Sequence, residues 1–313
     1  MARKFLFLGG CAALSILAFM VLGARGNWGF ILTFRGTKLV ALVIVGIAVA
    51  VATIVFQTLT SNRILTPSIM GFDALYILLQ TTLVFLLGGL GYVSLHPEMK
   101  FALELLLLSS AALLLFGSLL GQGLQDLFRM LLVGVVFGVL FRSLTSLLQR
   151  LIDPNEFAVL QGSLFASFNR VDTSLLMIAL PLVLACCALV WRKRHILDVM
   201  ALGRDQAINL GINYRRELLV GLTLVTALVA TSTALVGPVT FFGLLVSAIS
   251  YEVVKTHHHG PVFIVASLIA ITVLVGGQAV FERVLGMSAT LSIVIEFLGG
   301  LVFLFLILRK VRT

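Results

Sequence analysis

Long apolar stretches, separated by short polar intervals, follow one another along almost the whole chain. Each stretch is about 20 residues long, which is the length that an α-helix needs to cross a bilayer. Apolar residues are continuous within a stretch and do not alternate with polar ones, so the pattern indicates helices and not the strands of a membrane barrel. It therefore predicts a single all-α, polytopic transmembrane domain over residues 1–313, with about ten spans.

Ten spans follow from this pattern. They cover residues 5–23, 36–58, 68–89, 100–120, 128–148, 173–190, 218–236, 241–254, 262–281 and 291–308. The first is predicted to be retained and not cleaved as a signal peptide, because its apolar run continues well beyond Leu8-Gly9-Gly10-Cys11, a string that looks like a lipoprotein cleavage site. The eighth is short for a full crossing of the bilayer.

The balance of residue types supports the same class of protein. The chain is 60% hydrophobic and 11% charged, whereas about a quarter of the residues in a soluble domain are charged. Cationic cytoplasmic loops explain the net charge of +9, and no basic stripe with interleaved aromatic residues indicates nucleic-acid binding. The cysteines Cys11, Cys186 and Cys187 lie in apolar runs and are predicted to be buried in the membrane region.

The distribution of lysine and arginine predicts the orientation in a bacterial inner membrane. Most of the 22 basic residues lie on the cytoplasmic side if the N-terminus is inside. This orientation puts both termini and the polar interval 192–217 in the cytoplasm. It puts the interval 149–172, with a short surface helix expected at 157–168, on the outer side.

The interval 192–217 is the longest polar one, and it carries six basic residues. Its apolar residues recur at helical spacing, and Gly203 and Gly211 interrupt them, which predicts two short helices with a glycine joint. A basic, partly apolar helix pair between two spans is suited to docking. The interval is therefore predicted to be the surface on which a soluble partner acts.

A polar, helix-breaking set lies between the second and third spans, at Gln57, Asn62, Pro67 and Gly71. A break at membrane depth is tolerated only where it is buried in protein or lines a cavity. The set resembles the Gln-x-x-x-x-Asn-x-Leu-x-x-Pro-x-x-x-Gly motif of the FecCD/BtuC-like permease subunits of iron-siderophore and vitamin B12 ABC importers. The resemblance implies that these residues form a structural break beside the translocation pathway.

Two further segments carry the resemblance. The string Gly-Pro-Val-Thr-Phe-Phe-Gly-Leu at 237–244 is similar to the family's Gly-x-Ile-x-Phe-x-Gly-Leu segment, and 201–211 is similar to its coupling loop. The resemblance implies the fold of a type II ABC importer permease. It also implies contacts to an ATPase through Leu202, Gly203, Arg204, Asp205, Ala207, Leu210 and Gly211.

The resemblance further implies the function and the partners. The chain is expected to translocate a ferric siderophore from periplasm to cytoplasm, together with a second permease subunit, identical or homologous, two ATP-binding subunits and a periplasmic siderophore-binding protein. It has no Gly-x-x-x-x-Gly-Lys-Ser/Thr loop, so ATP and Mg would be bound by the partner ATPase, and the chain itself would be neither an enzyme nor a holder of a cofactor. Short outer loops, and Leu245-Val246-Ser247-Ala248 in place of the family's Val-Pro-His, favour the branch that imports catecholate siderophores.

On the outer face, Arg35, Lys38 and Arg283 match positions where the family often has basic residues. They are expected to pair with acidic residues on the lobes of the binding protein. The alternative is that these long side chains only snorkel to the membrane interface.

Ionisable residues within the spans leave alternatives open. Glu104 follows Lys100 by four residues, which predicts a local ion pair, whereas Glu296 has no local partner and is expected either in the pathway or in a structural pair. A proton-coupled secondary transporter would use Asp73, Glu104 and Glu296. A membrane enzyme would use His257–His259 as a metal site, but adjacent residues point about 100° apart on a helix, so a solvated cytoplasmic turn is expected there.

Overall fold

A computed structural model describes residues 2–24, 26, 28–120, 127–162, 164–169, 171–284, 286, 294–297 and 299–301, and no strand occurs among them. The helices are α1 (Ala2–Val21), α2 (Trp28–Leu59), α3 (Asp73–Ser94), α4 (Pro97–Leu120), α5 (Leu127–Leu151), α6 (Pro154–Gln161), α7 (Thr173–Arg192), α8 (Arg194–Met200), α9 (Arg204–Asn209), α10 (Tyr214–Val236), α11 (Phe242–Val254) and α12 (His259–Ala279). A π-helical turn, Ser68–Phe72, precedes α3, and another, Val280–Val284, follows α12.

The observed helices match the predicted spans closely. Within the described part of the chain, seven helices are long and apolar enough to cross a membrane, and the short eighth span is α11, with 13 residues. The fourth span is α4. The tenth, at 291–308, lies largely outside the described residues. The second span is part of a longer helix than predicted, since α2 has 32 residues and begins at Trp28.

Three helices form the centre of the bundle. α2, α10 and α12 are largely buried, whereas less than a third of the apolar stretch in each of α1, α5 and α7 is buried. Phe56, Phe242 and Leu274 are fully buried in the single large core that these central helices share with α7, α8 and α11. The outer helices expose large apolar side chains such as Leu14 and Val136, which is the arrangement expected where a helix faces lipid.

The bundle has two distinct ends. At the end that carries α8 and α9, Lys4 near the N-terminus donates a hydrogen bond to the carbonyl of Val253, 2.7 Å away. At the opposite end, the start of α2 approaches the residues that follow α12, through an ion pair between Lys38 and Glu282. Residues 60–67, which follow α2, therefore lie towards the α8–α9 end, and residues 164–169, which reach Lys38 through Asn169, lie towards the opposite end.

The short helix in the interval 149–172 lies earlier than predicted. α6 runs from Pro154 to Gln161 instead of 157–168. The Asp153 side chain accepts a hydrogen bond from the backbone N–H of Asn155, 2.9 Å away, and proline occupies the first helical position. An acidic cap followed by proline is a strong start signal, so the helix begins at the turn.

Candidate functional sites

The interval 192–217 forms the predicted pair of short helices. α8 and α9 are separated by Gly203, whose φ of 103° lies in the left-handed region that favours glycine, and nothing within 4 Å of this residue would meet a side chain. Gly203 is therefore required for the backbone conformation of the joint and not for close packing. Gly211, with a φ of 85° in equally open surroundings, ends the pair in the same way.

The two helices present apolar side chains outward. Leu202 and Leu210 are 56% and 63% exposed, and Ile208, which the sequence analysis missed, is 47% exposed. Asp205 is also exposed, whereas Arg204 is half-buried. Ala207 lies on the face of α9 that packs against the bundle and is fully buried. The prediction that it contacts a partner directly is therefore wrong.

Polar contacts attach this interval to the bundle. Lys193 pairs with Glu217 on α10 at 2.5 Å. On α8, the Asp198 carboxylate accepts hydrogen bonds from the backbone N–H of His259 at 2.7 Å and contacts its ring Nδ1 at 2.6 Å. On the far side of the same ring, Nε2 lies 2.7 Å from the hydroxyl of Thr58. The short helix pair is thus tied to α2, α10 and α12.

The histidine triplet is not a uniformly solvated turn as expected. His257 and His258 are exposed, but His259 is buried, with 5% of its surface accessible. Sequence spacing gave no sign of this, because its partners lie 61 and 201 positions away. Among the described residues, no cluster of histidine, cysteine or acidic side chains could hold a metal ion.

The environment of Asp198 keeps it ionised. Burial by itself raises the pKa of this carboxyl, but the hydrogen bonds from the N–H and the ring of His259 outweigh burial, and the net pKa lies below its usual value. A lowered pKa means that Asp198 stabilises the fold above its unfolded pKa. That stabilisation is lost as the pH falls through the folded pKa.

The predicted break between the second and third spans is present, and side-chain hydrogen bonds support its backbone. Gln57 donates hydrogen bonds to the carbonyl of Arg63 at 2.7 Å and to the hydroxyl of Ser247 on α11 at 2.9 Å. Asn62 accepts one from the N–H of Ile64 at 3.0 Å. Pro67 then leads into the π-helical turn. These polar side chains hold the irregular backbone of 60–67 in protein surroundings, as the bilayer requires.

Glycine lets this break pack closely against α5. Gly71 has a φ of 97°, and a Cβ at this position would lie 3.1 Å from the Cα of Gly138. Gly134, one turn before Gly138, faces the side chain of Met70. The two α5 glycines, spaced four apart, thus let the backbones of the break and the helix approach each other.

Two carboxyl groups meet beside a second break, between α10 and α11. Asp73 is buried, and neither of its carboxylate oxygens has a hydrogen bond of normal geometry to a described residue, although the hydroxyls of Ser68 and Thr240 are near. Glu296 is half-buried and hydrogen-bonds to Thr240, and it lies near enough to Asp73 for the charges of the two carboxyl groups to influence each other. Sequence spacing gave no indication that Asp73 and Thr240 lie near Glu296. Glu104, in contrast, has the predicted local partner, with Lys100 3.9 Å away.

The opposite end contains the three basic residues predicted to dock a binding protein. Arg35 is only 5% exposed, and its guanidinium donates to the carbonyls of Phe19, Met20 and Leu22, which end α1. Lys38 is also buried, and its ammonium is bonded to Asn169 and Glu282. The expectation that these two charges face a partner is therefore wrong. Only Arg283, whose side chain is 29% exposed, remains accessible.

A bundle of membrane-spanning helices with two buried breaks and an exposed apolar helix pair at one end defines a transport permease subunit of the ABC-importer type, not an enzyme. The chain belongs to the FecCD transport family, which it matches over residues 7–309. Permeases of this family work with a second permease subunit, ATPases and a binding protein.

Two relatives and one solved structure describe the similarity in more detail. The chain is 45% identical to the petrobactin import system permease protein YclO of Bacillus subtilis, over 92% of this chain and 91% of that protein. It is 33% identical to the petrobactin import system permease protein FatC of Bacillus anthracis, over 88% and 78%. The solved structure of a metal-chelate type ABC transporter in an inward-facing conformation has the same fold, with a TM-score of 0.84, 20% identity and 98% coverage of both chains.

Proposed function

We propose that this chain is the permease subunit of an importer that carries a ferric siderophore across the membrane, and that petrobactin is the first substrate to test. The observation that carries this proposal is the 45% identity, over 92% of the chain, to a permease named for petrobactin import. Transport occurs by alternating access at the interface with a second permease subunit. The permease makes and breaks no covalent bond.

The ATPase is proposed to dock on α8 and α9 in the cytoplasm. Leu202, Ile208 and Leu210 project from a small, rigid pair of helices, and exposed apolar anchors of this kind supply most of the binding energy at a protein interface. The six basic residues of the interval 192–217 support a cytoplasmic location. The N-terminus lies at the same end and is therefore also assigned to the cytoplasm, and the expected location is the inner membrane.

The binding protein is proposed to dock at the opposite, outer end, where Arg283 meets an acidic residue. An exposed ion pair stabilises a complex by only about 0.2 to 1 kcal/mol, but it steers and orients the approach of the partner.

The pathway is proposed to pass beside Asp73 and Glu296, next to the two breaks. These two adjacent carboxyl groups are also what favours the second candidate, proton-coupled secondary transport of a metal chelate. Uptake that resists vanadate and stops when the proton gradient is removed would favour that candidate. Uptake that stops with vanadate and continues without the gradient favours the ATPase-driven importer.

The first prediction tests the substrate. Uptake of radiolabelled ferric petrobactin should fall by about tenfold or more in cells that lack the gene for this chain, and the intact gene should restore it. A second ferric catecholate and a ferric hydroxamate, measured in the same cells, test the expected catecholate preference. Unchanged uptake of all three chelates after deletion contradicts the proposal.

The second prediction separates docking from stability at the outer end. Arg283→Glu should weaken stimulation of ATP hydrolysis by the binding protein several-fold at low salt, with a smaller effect at high salt because exposed charges are screened. Lys38→Gln should instead lower the thermal stability of the purified permease, since it removes the ammonium that pairs with Glu282 and leaves that carboxylate, among the described residues, only Gln278 and Arg283 as partners, at a cost of about 1 to 3 kcal/mol. Full stimulation of the Arg283→Glu complex at low salt contradicts the docking role.

A further inference from the structure

A continuous chain of hydrogen bonds connects α8 to two of the central helices. It begins at Asp198 on α8, passes through both ring nitrogens of His259 at the start of α12, and reaches the hydroxyl of Thr58 near the end of α2. The contacts measure 2.6 and 2.7 Å. His259 and Thr58 are both buried, at 5% and 8% exposure, so water does not compete freely for these bonds.

The donors and acceptors in this chain can be assigned. The Thr58 hydroxyl lies 2.9 Å from the carbonyl of Ile54 and 2.7 Å from Nε2 of His259, and its single proton can be donated to only one of them. The Asp198 carboxylate can only accept, and it does so from Nδ1–H and from the backbone N–H of His259. A neutral His259 ring that carries its proton on Nδ1 donates to Asp198 and leaves Nε2 as the acceptor for the Thr58 hydroxyl. The hydrogen bonds to the ionised carboxylate of Asp198 are charge-assisted and belong to the stronger class.

Apart from this network, the ion pair of Lys193 with Glu217 and a 3.4 Å contact between Asp198 and the exposed ring of His258, α8 contacts the bundle through apolar side chains. Leu197 and Met200 are buried against the core, and apolar contacts have no fixed direction, so they allow one helix to slide over another. The hydrogen bonds to His259 are directional and fix the position of α8 relative to the start of α12. Asp198 also satisfies one of the backbone N–H groups that the first turn of α12 leaves free.

The network ends next to the first break in the membrane. Thr58 directly follows Gln57, whose side chain holds the carbonyl of Arg63 and the hydroxyl of Ser247 on α11. A displacement of α8 is thus conveyed through His259 to α12, and through Thr58 to α2, the 60–67 backbone and α11.

We propose that Asp198, His259 and Thr58 are positioning residues that transmit the movement of α8 to the helices around the transport pathway. This inference rests on the proposed function, in which the ATPase acts on α8 and α9. None of the three residues contacts substrate or nucleotide in this assignment. They determine how much of the ATPase movement reaches the membrane helices.

The test compares transport with ATP hydrolysis in the complete complex of permease, ATPase and binding protein in vesicles. Asp198→Asn, His259→Gln and Thr58→Val should each lower the amount of siderophore transported per ATP hydrolysed, by about fivefold to tenfold, or about 1 to 1.4 kcal/mol. The ATPase should still copurify with each variant, because Leu202 and Leu210 remain in place. Thr58→Ser keeps the hydroxyl and should restore the transport ratio to that of the unaltered chain.

Two controls make the result specific. His257→Gln changes an exposed histidine two positions from His259 and should leave the ratio unchanged. The double variant Asp198→Asn/His259→Gln should be no worse than the more impaired single variant, because both changes break one network.

Three results would overturn the inference. The first is an unchanged ratio in all three single variants, and the second is strict additivity in the double variant. The third is a loss of uptake that only follows a loss of assembled complex, which would indicate a purely structural role. Failure of the underlying docking proposal gives a different result, since the ATPase would then remain bound after substitution of Leu202 and Leu210.

Discussion

Replacing Leu202 and Leu210 together with glutamate is expected to release the ATPase from the permease. Both side chains are more than half exposed on α8–α9, so the change costs the isolated permease little stability. In the complex it would bury two unpaired carboxylates at the centre of an interface, where each costs several kcal/mol. Copurification should fall by more than about 100-fold, equivalent to about 2.7 kcal/mol, and siderophore uptake should fall with it.

Matched substitutions show whether this release is specific. Phe165→Glu changes a residue of similar exposure, 45%, in the interval at the opposite end of the bundle, and should leave copurification unchanged. Gln206→Ala changes an exposed polar side chain on α9 itself and should have a small effect. Retention of the ATPase by the Leu202→Glu/Leu210→Glu permease, at normal expression, contradicts docking at this surface.

The second large effect is expected at the contact between the first break and α5. Gly71→Val places a β-branched side chain at a φ of 97° and within 3.1 Å of the Gly138 backbone. Backbone strain and overpacking together should cost about 2 to 5 kcal/mol. The purified permease should unfold at a clearly lower temperature in detergent, and uptake should be lost, because the break must keep its position beside the pathway.

Other glycines in the same chain provide a graded comparison. Gly134→Ala meets chiefly the flexible end of Met70, which can move aside, and approaches the Met70 carbonyl oxygen only to 3.3 Å, so its effect should be smaller. Gly36→Ala lies within α2 with nothing inside 4 Å and should be neutral or slightly stabilising. Equal melting temperatures for Gly71→Val and Gly36→Ala would contradict the packing argument.

The fold could be predicted from the sequence wherever the signal is local. Each span is defined by its own apolar run, and the first break is defined by Pro67 and Gly71, which disfavour regular helix whatever surrounds them. The joint at Gly203 is defined in the same way, because glycine between two short amphipathic segments is sufficient to indicate it. Among the described residues these features are present as predicted, although α2 begins at Trp28 and not at residue 36.

The roles of single charged and polar residues could not be predicted, because their partners are distant in the sequence. Arginine near the end of a span is usually exposed, but Arg35 lies beside the end of α1 and donates hydrogen bonds to the carbonyls there. Lys38 is neutralised by Glu282, which lies 244 positions away. The sequence around His259 indicates a polar turn, but in the fold α8 and α2 lie on either side of its ring. Apolar periodicity indicates which face of a helix points inward, but not which polar group a side chain on that face will contact.

The attachment of α2 to α12 has a mechanical consequence. The two helices are joined near one membrane face by Thr58 and His259 and near the other by Lys38 and Glu282. Two helices that are joined at both ends cannot separate, so they should tilt together as one unit, about 30 Å long over the 21 residues of α12. In the alternating access proposed for this permease, a displacement of the pair at the inner face would therefore also move its outer end.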